Sequence, residues 1–600
     1  MTRAARIVFA LLVIATLGAF VVTQKLKSSP PLIVRAHASV VFSPTTDESG
    51  KPHRAFISFW IERGDTISIS IVDSSGRIVR TVADGVNLPT RVRKTWWWDG
   101  RTNDGRLAPD GFYRARVAML HQGRTADLPG IEIGLDTTPP KPRVVSVSPE
   151  GRSGPAFLPQ AGVHDVTVAF RGTEGRQARL QVWRTDLPRP RVVAQQTIPA
   201  GTDTVRWDGT VDGRPAPAGT YLMGLLVFDR SGNRGSFPAQ TPPRSGEVPG
   251  RAGVTIRYLA AAPALKPVRA GRSTTVYVDA RRDRYTWALR RFGDGRALDR
   301  GRGHDVKLRV RVPRGQAGLY VLTIATRDHR TQLPIVARAP VSGRVLVILP
   351  ALTWQGLNPV DDDGDGMPNV LDGAGNDATA ALRRPYARGL PATISTREGA
   401  LLRFLDESLR RYDLTTDAAL AAGVGPKLAD YRAAVFAGDS RWLTPELRRE
   451  LRRQVQDGDR VWSLGTDALR RGVQLDDETL TRPGPAVATD ALGARPRTPV
   501  VAAPADAPAA MNVSQDGPIF ALTGGFFPGW TSYETLASVI QSATITAAAG
   551  PDTDTPVIAS WSLGSGLAVH TGLPDLASRA VNGDADAAAL IRSIWATLAG

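Results

Sequence analysis

WDGRTNDGRLAPDGFY, residues 98–113, returns 109 residues later as WDGTVDGRPAPAGTY, residues 207–221. In each copy a Trp precedes Asp-Gly, an Asp-Gly-Arg turn follows, and Pro-x-Gly leads into a segment that contains a Tyr. Asp-Gly favours tight turns because glycine adopts a positive φ at no steric cost. A period near 110 residues is typical of one β-sandwich. The repeat therefore predicts two tandem sandwiches.

Short segments with apolar residues at every second position extend over 34–342, for example at 56–61, 67–72 and 113–118. This alternation predicts half-buried strands. The last part has an apolar run at 318–324 but no Trp-Asp-Gly, and we expect a third sandwich there. The expected modules are 34–140, 141–248 and 249–342.

The repeat resembles the Ig-like repeat of FlgD-type flagellar hook-assembly proteins and of many bacterial surface proteins, over about 40–135 and 150–240. In those families the repeat is a structural or spacer module. The resemblance therefore implies Ig-like sandwiches without catalytic residues.

The pattern changes at residue 344. Continuous apolar runs, as expected of strands buried on both faces of a parallel sheet, lie at 345–349, 433–436, 461–464 and 557–561. Amphipathic stretches typical of helices lie between or after them, at 397–411, 445–456 and 585–598. This alternation predicts a three-layer α/β domain over 343–600.

The order of motifs in this domain resembles the C-terminal, class I glutamine-amidotransferase-like domain of the N,N-dimethylformamidase large subunit. The segments that carry the resemblance are 353–358, 412–417, 437–442, 457–461, 564–567 and 571–574. The resemblance implies a flavodoxin-like or amidotransferase-like fold.

The chain departs from both chemistries that the resemblance implies. Amidotransferases use a Cys nucleophile, and this chain has no Cys; the corresponding turn is Leu464-Gly465-Thr466-Asp467. The formamidases hold iron with Tyr and Glu, and Arg441 stands in the segment where they carry His-Asp-Glu-Tyr-Trp. A guanidinium does not bind a cation. We therefore expect no iron and no thiol-type amidase activity.

A hydroxyl nucleophile with a base remains possible in this domain. The candidate catalytic residues are Asp439, Thr466, Asp467 and His570, with Glu534 on a predicted helix 532–540 to orient the histidine. In the competing interpretation, Thr466 and Asp467 begin a helix and His570 packs at the end of a strand. Convergence of the four candidates would favour an enzyme.

An aspartate-rich loop at 361–372, DDDGDGMPNVLD, carries the sharpest chemical signal. Oxygen ligands fall at positions 1, 3, 5, 9 and 12, which are Asp361, Asp363, Asp365, Asn369 and Asp372, and Gly366 stands at position 6. This spacing is typical of a loop that wraps Ca²⁺. It predicts a calcium ion that pins the segment 351–377 against the α/β domain.

The net charge is +18, but the basic residues are spread along the chain among acidic ones. A nucleic-acid binder needs a basic stripe or face, so we expect no nucleic-acid partner. An Arg-biased genome or attraction to an anionic cell envelope accounts for the charge better. The absence of Cys excludes disulfides and thiolate metal sites.

Residues 7–23 form an uncharged apolar stretch of 17 residues between Arg6 and Lys25. As a helix it spans about 25 Å, enough for a thin bilayer core. A cleaved signal peptide is the alternative, but no Ala-x-Ala site follows the apolar stretch. We therefore expect an uncleaved membrane anchor, with residues 1–33 as cytoplasmic tip and helix and the rest outside the cytoplasm.

These features predict a single-pass cell-membrane protein whose spacer modules present a non-catalytic or divergent α/β domain to an envelope ligand or protein partner. Two alternatives remain: an exported hydrolase of C–N (amide) bonds, and an envelope polyanion-binding protein.

Overall fold

The computed structural model describes residues 3–27, 33–46, 51–149, 156–158, 166–173, 177–241, 243, 252–264, 266–280, 283–315, 317–339, 344–372, 378–497 and 500–600.

The chain begins with helix α1, Arg3–Lys27. Within it, Ala4–Thr23 has a mean hydropathy of 2.5, and none of it is covered by the rest of the protein. It is long and apolar enough to cross a membrane, a property that signal sequences share.

The first sandwich has two sheets around one apolar core, with strand orders β1-β3-β6 and β2-β9-β7-β4-β5 and with β8 beside β7. Its strands are β1 Ile33–Ala38, β2 Val41–Phe42, β3 Ala55–Ile61, β4 Asp65–Val72, β5 Ile78–Leu88, β6 Lys94–Trp98, β7 Gly111–Met119, β8 Arg124–Asp127 and β9 Ile133–Leu135.

The second sandwich has the sheets β10-β12-β15 and β11-β20-β18-β13-β14, with β19 beside β18. Its strands are β10 Arg143–Pro149, β11 Ala156–Leu158, β12 Val166–Arg171, β13 Gln177–Arg184, β14 Arg191–Ile198, β15 Thr204–Trp207, β16 Thr210–Val211, β17 Arg214–Pro215, β18 Gly219–Phe228, β19 Arg234–Phe237 and β20 Gly253–Ile256. Strand β20 lies beyond the expected boundary at 248, yet it pairs with β18. The second module therefore extends to about residue 256.

The two copies of the repeat have matching local geometry. The indole of Trp98 donates a 2.9 Å hydrogen bond to the carbonyl oxygen three residues later, and the indole of Trp207 does the same at 3.0 Å. The hydroxyls of Tyr113 and Tyr221 each donate to the carbonyl oxygen of a Pro four residues earlier, at 2.5 and 2.6 Å. All four rings are buried. The repeat thus closes one end of each sandwich core in the same way.

The third sandwich has the sheets β21-β23-β26 and β22-β28-β27-β24-β25 around a shared core. Its strands are β21 Ala260–Ala262, β22 Val268–Arg269, β23 Ser273–Asp279, β24 Tyr285–Arg291, β25 Ala297–Gly303, β26 Lys307–Arg311, β27 Gly318–Ala325 and β28 Arg330–Arg338.

The C-terminal domain is built on a nine-stranded mixed sheet of order β31-β29-β32-β34-β46-β45-β44-β40-β41. The first five strands are parallel, and the remaining four join antiparallel. The elements are β29 Val345–Leu349, α2 Ala351–Gly356, β30 Ala380–Ala381, α3 Glu398–Glu407, β31 Asp413–Thr416, α4 Asp417–Ala421, β32 Ala433–Phe436, β33 Trp442–Leu443, α5 Pro445–Gln456, β34 Arg460–Leu464, β35 Arg471–Gly472, β36 Gln474–Asp476, β37 Thr479–Thr481, β38 Ala494–Pro496, β39 Val501–Ala502, β40 Ala509–Gln515, β41 Phe526–Trp530, β42 Ser532–Tyr533, β43 Leu536–Val539, β44 Ala543–Gly550, β45 Ile558–Leu563, β46 Gly566–Thr571, α6 Leu576–Val581 and α7 Ala585–Ala599, with 3₁₀ turns at Leu428–Asp430 and Pro518–Phe520.

Helices cover both faces of this sheet. Alternate residues of β29 face opposite ways: Val347 packs in a core with α3, α6 and α7, and Ile348 packs in a second core with α5. Helix α5 begins where Pro445 follows Thr444, whose side chain caps the backbone N–H of Leu447.

Two local expectations in this domain are wrong. The segment 532–540 contains strands β42 and β43 instead of a helix, because its backbone pairs with the distant strands β39 and β38. Thr466 and Asp467 begin no helix; they lie in a turn that leads toward β35.

Candidate functional site

The carboxyl ends of the five parallel strands bring together the candidate polar residues. Asp417 follows β31, Asp439 comes three residues after β32, and Thr466 comes two residues after β34. His570 is the next-to-last residue of β46. Because ligands of open α/β sheets bind at such strand ends, this edge is the candidate site.

Asp439 and Thr466 are directly linked. The backbone N–H of Thr466 donates to Asp439 Oδ1 at 2.7 Å, and its hydroxyl donates to the same oxygen at 3.3 Å. The other carboxylate oxygen is paired with the guanidinium of Arg397. Gly465 has φ +127°, and a Cβ there would meet Asp439 Oδ1 at 2.7 Å. Only glycine lets the two strand ends approach this closely.

Asp467 is held by cations. Its carboxylate accepts hydrogen bonds from Arg470 at 3.3 Å and from Arg471 at 2.9 Å. Its backbone N–H donates to Glu534 Oε2 at 2.9 Å. The carboxylate is thus committed to ion pairs, while the backbone orients Glu534.

His570 and Glu534 form a second pair, with Nε2 of the imidazole 3.5 Å from Oε1 of the carboxyl. Both side chains are buried. Burial lowers the pKa of His570 to about 4. Burial, with the nearby charge of Asp467, raises the pKa of Glu534 to about 7 although the Asp467 N–H opposes this. At neutral pH the imidazole is therefore uncharged.

The structure thus brings all four predicted catalytic residues to one edge of the sheet, but in two separate groups. Thr466 is bonded to Asp439, whereas Asp467 and His570 both contact Glu534. The Thr466 hydroxyl points to Asp439, whereas His570 lies beside Glu534. Within the described part of the chain, neither ring nitrogen of His570 has a hydrogen-bond partner.

Three further polar residues at this edge escaped the sequence reasoning. Glu398 is fully buried, accepts a hydrogen bond from Thr393 at 3.1 Å, and has a pKa raised to about 7 by burial. Asp417 accepts from the N–H of Leu352 at 3.0 Å, and burial raises its pKa to about 7. Arg397 completes the set. Asp417 lies in the motif 412–417, so its position after a strand was a usable signal.

Arg441 stands in the segment where the family resemblance implies iron ligands, and a guanidinium does not bind a cation. It lies at this edge, and its guanidinium holds Asp372 at 2.8 Å. Arg471 donates to the other oxygen of Asp372 at 2.9 Å. Two cationic side chains therefore hold the Asp372 carboxylate.

The aspartate loop brings three of its five predicted ligands together. Ligand atoms of Asp361, Asp363 and Asp365 lie within 4.8 Å of one another, the only such group of acidic, His or Cys side chains among the described residues. The amide of Asn369 is 3.4 Å from Asp363 Oδ2, beside the group. Asp372 lies apart from it, because its carboxylate is bound to two arginines.

The loop backbone orients the most buried carboxylate. Asp361 is 4% exposed and accepts from the N–H groups of Gly364 and Gly366, at 2.6 and 3.0 Å. Burial, with the charges of Asp365 and Asp363, raises the pKa of Asp361 to about 7. Burial likewise raises the pKa of Asp365 to about 6. Crowded, partly dehydrated carboxylates of this kind favour a cation.

Arg384 organises the loop and was missed by the sequence reasoning. This buried guanidinium donates to the carbonyl oxygens of Gln355, Asn358, Val360 and Asn369 at 2.6–3.1 Å. It also pairs with Asp362 Oδ2 at 2.6 Å. Its neighbour Arg383 is exposed, and nothing in the local sequence indicates which of the two arginines is buried.

The loop also contacts the second sandwich. The N–H of Gly253 donates to the carbonyl oxygen of Gly364 at 3.0 Å, and the hydroxyl of Thr185 donates to that of Gly366 at 2.6 Å. Met367 packs against the sandwich core. A Cβ on Gly253 would run into the backbone of Gly366. The loop therefore contacts the second sandwich as well as the α/β domain, and it joins the two modules.

Residues 299–499 match the family model described as N,N-dimethylformamidase beta subunit-like, C-terminal. This third of the chain is similar to that domain family. The match begins within β25 of the third sandwich and includes the aspartate loop, Asp439 and Thr466, whereas Glu534 and His570 lie beyond it. No curated protein matches the chain.

Solved structures with partial similarity include three glycosidases. A beta-galactosidase from Bacillus circulans sp. alkalophilus is 13% identical over 33% of this chain and 26% of its own, with a TM-score of 0.24. A beta-galactosidase from Rahnella sp. R3 is 11% identical over 43% of this chain and 31% of its own, with a TM-score of 0.27. An exo-beta-1,4-mannosidase from Opitutaceae bacterium strain TAV5 is 12% identical over 43% of this chain and 36% of its own, with a TM-score of 0.25. The chain spans about a third or less of their lengths. At these TM-scores the similarity carries no conclusion.

Proposed function

We propose that this chain is a membrane-anchored protein whose sandwiches hold the C-terminal α/β domain outside the cytoplasm, and that the strand-end site binds a polar ligand or partner without hydrolysing it. The observation that carries the second part is the hydrogen bond from the Thr466 hydroxyl to Asp439, whose carboxylate is paired with Arg397.

A hydroxyl becomes a nucleophile when a nearby base takes its proton. Asp439 is the group in position, and its ion pair with Arg397 makes it a weaker base. The neutral imidazole of His570 is the better base by type, but its close contact is Glu534. Activation of Thr466 is thus unsupported by the arrangement of its neighbours.

The same edge is well suited to bind an anionic group. Arg441 and Arg471 present two guanidinium groups, each about a quarter exposed, on either side of the Asp372 carboxylate. Guanidinium forks match carboxylate and phosphate geometry. A ligand that carries either group is the class we assign to this edge, in the position that Asp372 takes in its absence.

We also propose the fold classes that the sequence predicts. The strand order β31-β29-β32-β34-β46, with helices on both faces, supports a flavodoxin-like or amidotransferase-like domain. The two-sheet modules and the shared Trp and Tyr geometry support Ig-like sandwiches.

A hydrolase that acts on C–N bonds is the second candidate, and the convergence of Asp439, Thr466, Asp467 and His570 at one edge favours it. In that case Glu534 orients His570, and Thr466 must turn away from Asp439 to meet the imidazole.

We further propose that the aspartate loop binds one Ca²⁺ through Asp361, Asp363 and Asp365, with Asn369 beside them. The clustering of the three carboxylates and the raised pKa values of Asp361 and Asp365 support this. The ion would offset the repulsion among the carboxylates and stiffen the contact with the second sandwich.

Membrane fractionation tests the anchoring. Carbonate-washed membranes should retain the full-length chain, and protease added outside intact cells should cleave the sandwiches. A soluble form that begins near residue 24 would contradict an uncleaved anchor.

A further inference from the structure

A groove of about 560 Å³ crosses the outer face of the five-stranded sheet of the third sandwich. It lies in a different module from the strand-end site, and the proposed function does not use it. Four arginines line it, on three of the four consecutive strands β28-β27-β24-β25: Arg290, Arg300, Arg302 and Arg330.

The strand register explains the shape of the groove. Thr286 on β24 stands opposite Arg302 on β25 and Ala325 on β27, and Ala325 stands opposite Arg330 on β28. Residues directly opposite in a sheet share a face. This row therefore has small residues in the middle and an arginine at each end.

The next row has small residues in the middle but an arginine at one end only. Ala288 stands opposite Arg300 and Thr323, and Thr323 stands opposite Gln332 on β28. Arg300 and Arg302 lie on the edge strand β25, two residues apart, so their Cα atoms are separated by about 7 Å on the same face. Arg302 and Arg330 are three strand spacings apart, about 14 Å. The result is a strip with a flat floor, with Arg300 and Arg302 along one side and Arg330 on the other.

The charges of these arginines are not neutralised within the described part of the chain. Among the described residues, no Asp or Glu lines the groove, and no ion pair includes any of the four arginines. The neighbouring Arg291, on the opposite face, donates two 2.7 Å hydrogen bonds to Asp406 of the C-terminal domain. Arg291 is thus committed to a contact between modules, whereas the four groove arginines face the groove.

We propose that this groove binds a linear anionic glycan, a polymer whose sugars carry carboxylate or phosphate groups. The guanidinium groups supply charge-assisted bonds at intervals along the strip, and the Thr286 and Thr323 side chains supply polar atoms on its floor. If the N-terminal helix anchors the chain as proposed, the third sandwich lies outside the cytoplasm, where envelope polymers can reach the groove.

The groove suits single-stranded nucleic acid less well. Such strands are bound through aromatic side chains on which successive bases stack. The aromatic residue at the groove is Trp287, whose indole lies over Gly301 and packs against the sandwich core. A glycan needs no stacking platform of this kind.

Fluorescence anisotropy with labelled polymers and the full-length protein in neutral detergent tests the proposal. The probes are polygalacturonate as the anionic glycan, dextran as a neutral glycan, polyglutamate, and oligothymidylate. The groove variant is Arg300→Ala/Arg302→Ala. The matched control is Arg309→Ala/Arg311→Ala, which removes two exposed arginines from β26 on the other sheet of the same sandwich.

We expect polygalacturonate to bind, dextran not to bind, and the groove variant to lose at least about tenfold in affinity while the control stays within about twofold. Binding should weaken with added salt. Equal losses in the two variants would overturn the proposal, because net charge alone would then explain binding. Failure of polygalacturonate to bind, or tighter binding of oligothymidylate or polyglutamate through the same arginines, would also overturn it.

Discussion

The hydroxyl of Thr185 in the second sandwich donates a 2.6 Å hydrogen bond to the carbonyl oxygen of Gly366 in the aspartate loop. The bond joins groups 181 residues apart, and both are buried. It makes the loop a connector between a sandwich and the C-terminal domain.

Thr185→Val should loosen the loop, because it leaves the Gly366 carbonyl without this partner at a cost of about 1–3 kcal/mol. Hydrogen exchange followed by mass spectrometry should show faster exchange over 360–372. Thr202→Val is the control, since the Thr202 hydroxyl makes a similar 2.8 Å bond to a carbonyl oxygen at an exposed site. If the exchange rates over 360–372 are unchanged in Thr185→Val, the bond between Thr185 and Gly366 does not hold the loop.

Arg384→Met should destabilise the C-terminal domain strongly, because it leaves four carbonyl oxygens and the partly buried Asp362 carboxylate without this partner. Loss of one partner from a buried ion pair costs about 3–5 kcal/mol. Arg383→Met is the matched control: its ion pair with Glu478 is about half exposed, and such pairs contribute about 1 kcal/mol or less. Urea unfolding measures both, and similar midpoints for the two variants would contradict the role given to Arg384.

Calcium at about 100-fold excess over its Kd should stabilise the protein by roughly 2.7 kcal/mol. The thermal midpoint of the domain should therefore rise with millimolar Ca²⁺ and much less with Mg²⁺, which demands tighter octahedral geometry. Asp363→Asn should abolish the shift, whereas Asp372→Asn should keep it, because Asp372 binds Arg441 and Arg471 instead. Identical melting curves in Ca²⁺ and in chelator would refute the calcium site.

Acid should destabilise the fold through His570. The pKa of its imidazole is about 4 in the folded protein against an ordinary value of 6.5, so the unfolded state binds the proton more readily as pH falls from 6.5 towards 4. At pH 5 this costs about 2 kcal/mol, and at pH 7.5 almost nothing. Relative to wild type, His570→Gln should therefore gain about 2 kcal/mol between these two pH values. A pH-independent difference in unfolding free energy would contradict this account of the buried imidazole.

The sequence was most informative where structure depends on neighbours in the chain. The Trp98 and Tyr113 bonds span three and four residues, and the Thr444 cap on α5 spans three. Such features follow from local motifs. The aspartate cluster belongs to the same class, because its three carboxylates lie within five residues.

The failures involve distant partners. Spacing alone placed Asp372 in the ion site, but arginines 69 and 99 residues away hold it. Glu534 was assigned to a helix because the local pattern gave no sign of pairing with β38 and β39. Strand β20 was assigned to the wrong sandwich for the same reason. Arg384 differs from Arg383 only through the fold that buries it.

The central claim is that the strand-end site binds without hydrolysing, and amide turnover tests it most directly. Purified full-length protein would be incubated with formamide, N,N-dimethylformamide and glutamine, and released amine or ammonia would be measured beside Thr466→Val and His570→Gln. We predict that all three proteins release the same background amount. Turnover by the wild type that is lost in Thr466→Val and in His570→Gln would contradict the account and establish the hydrolase.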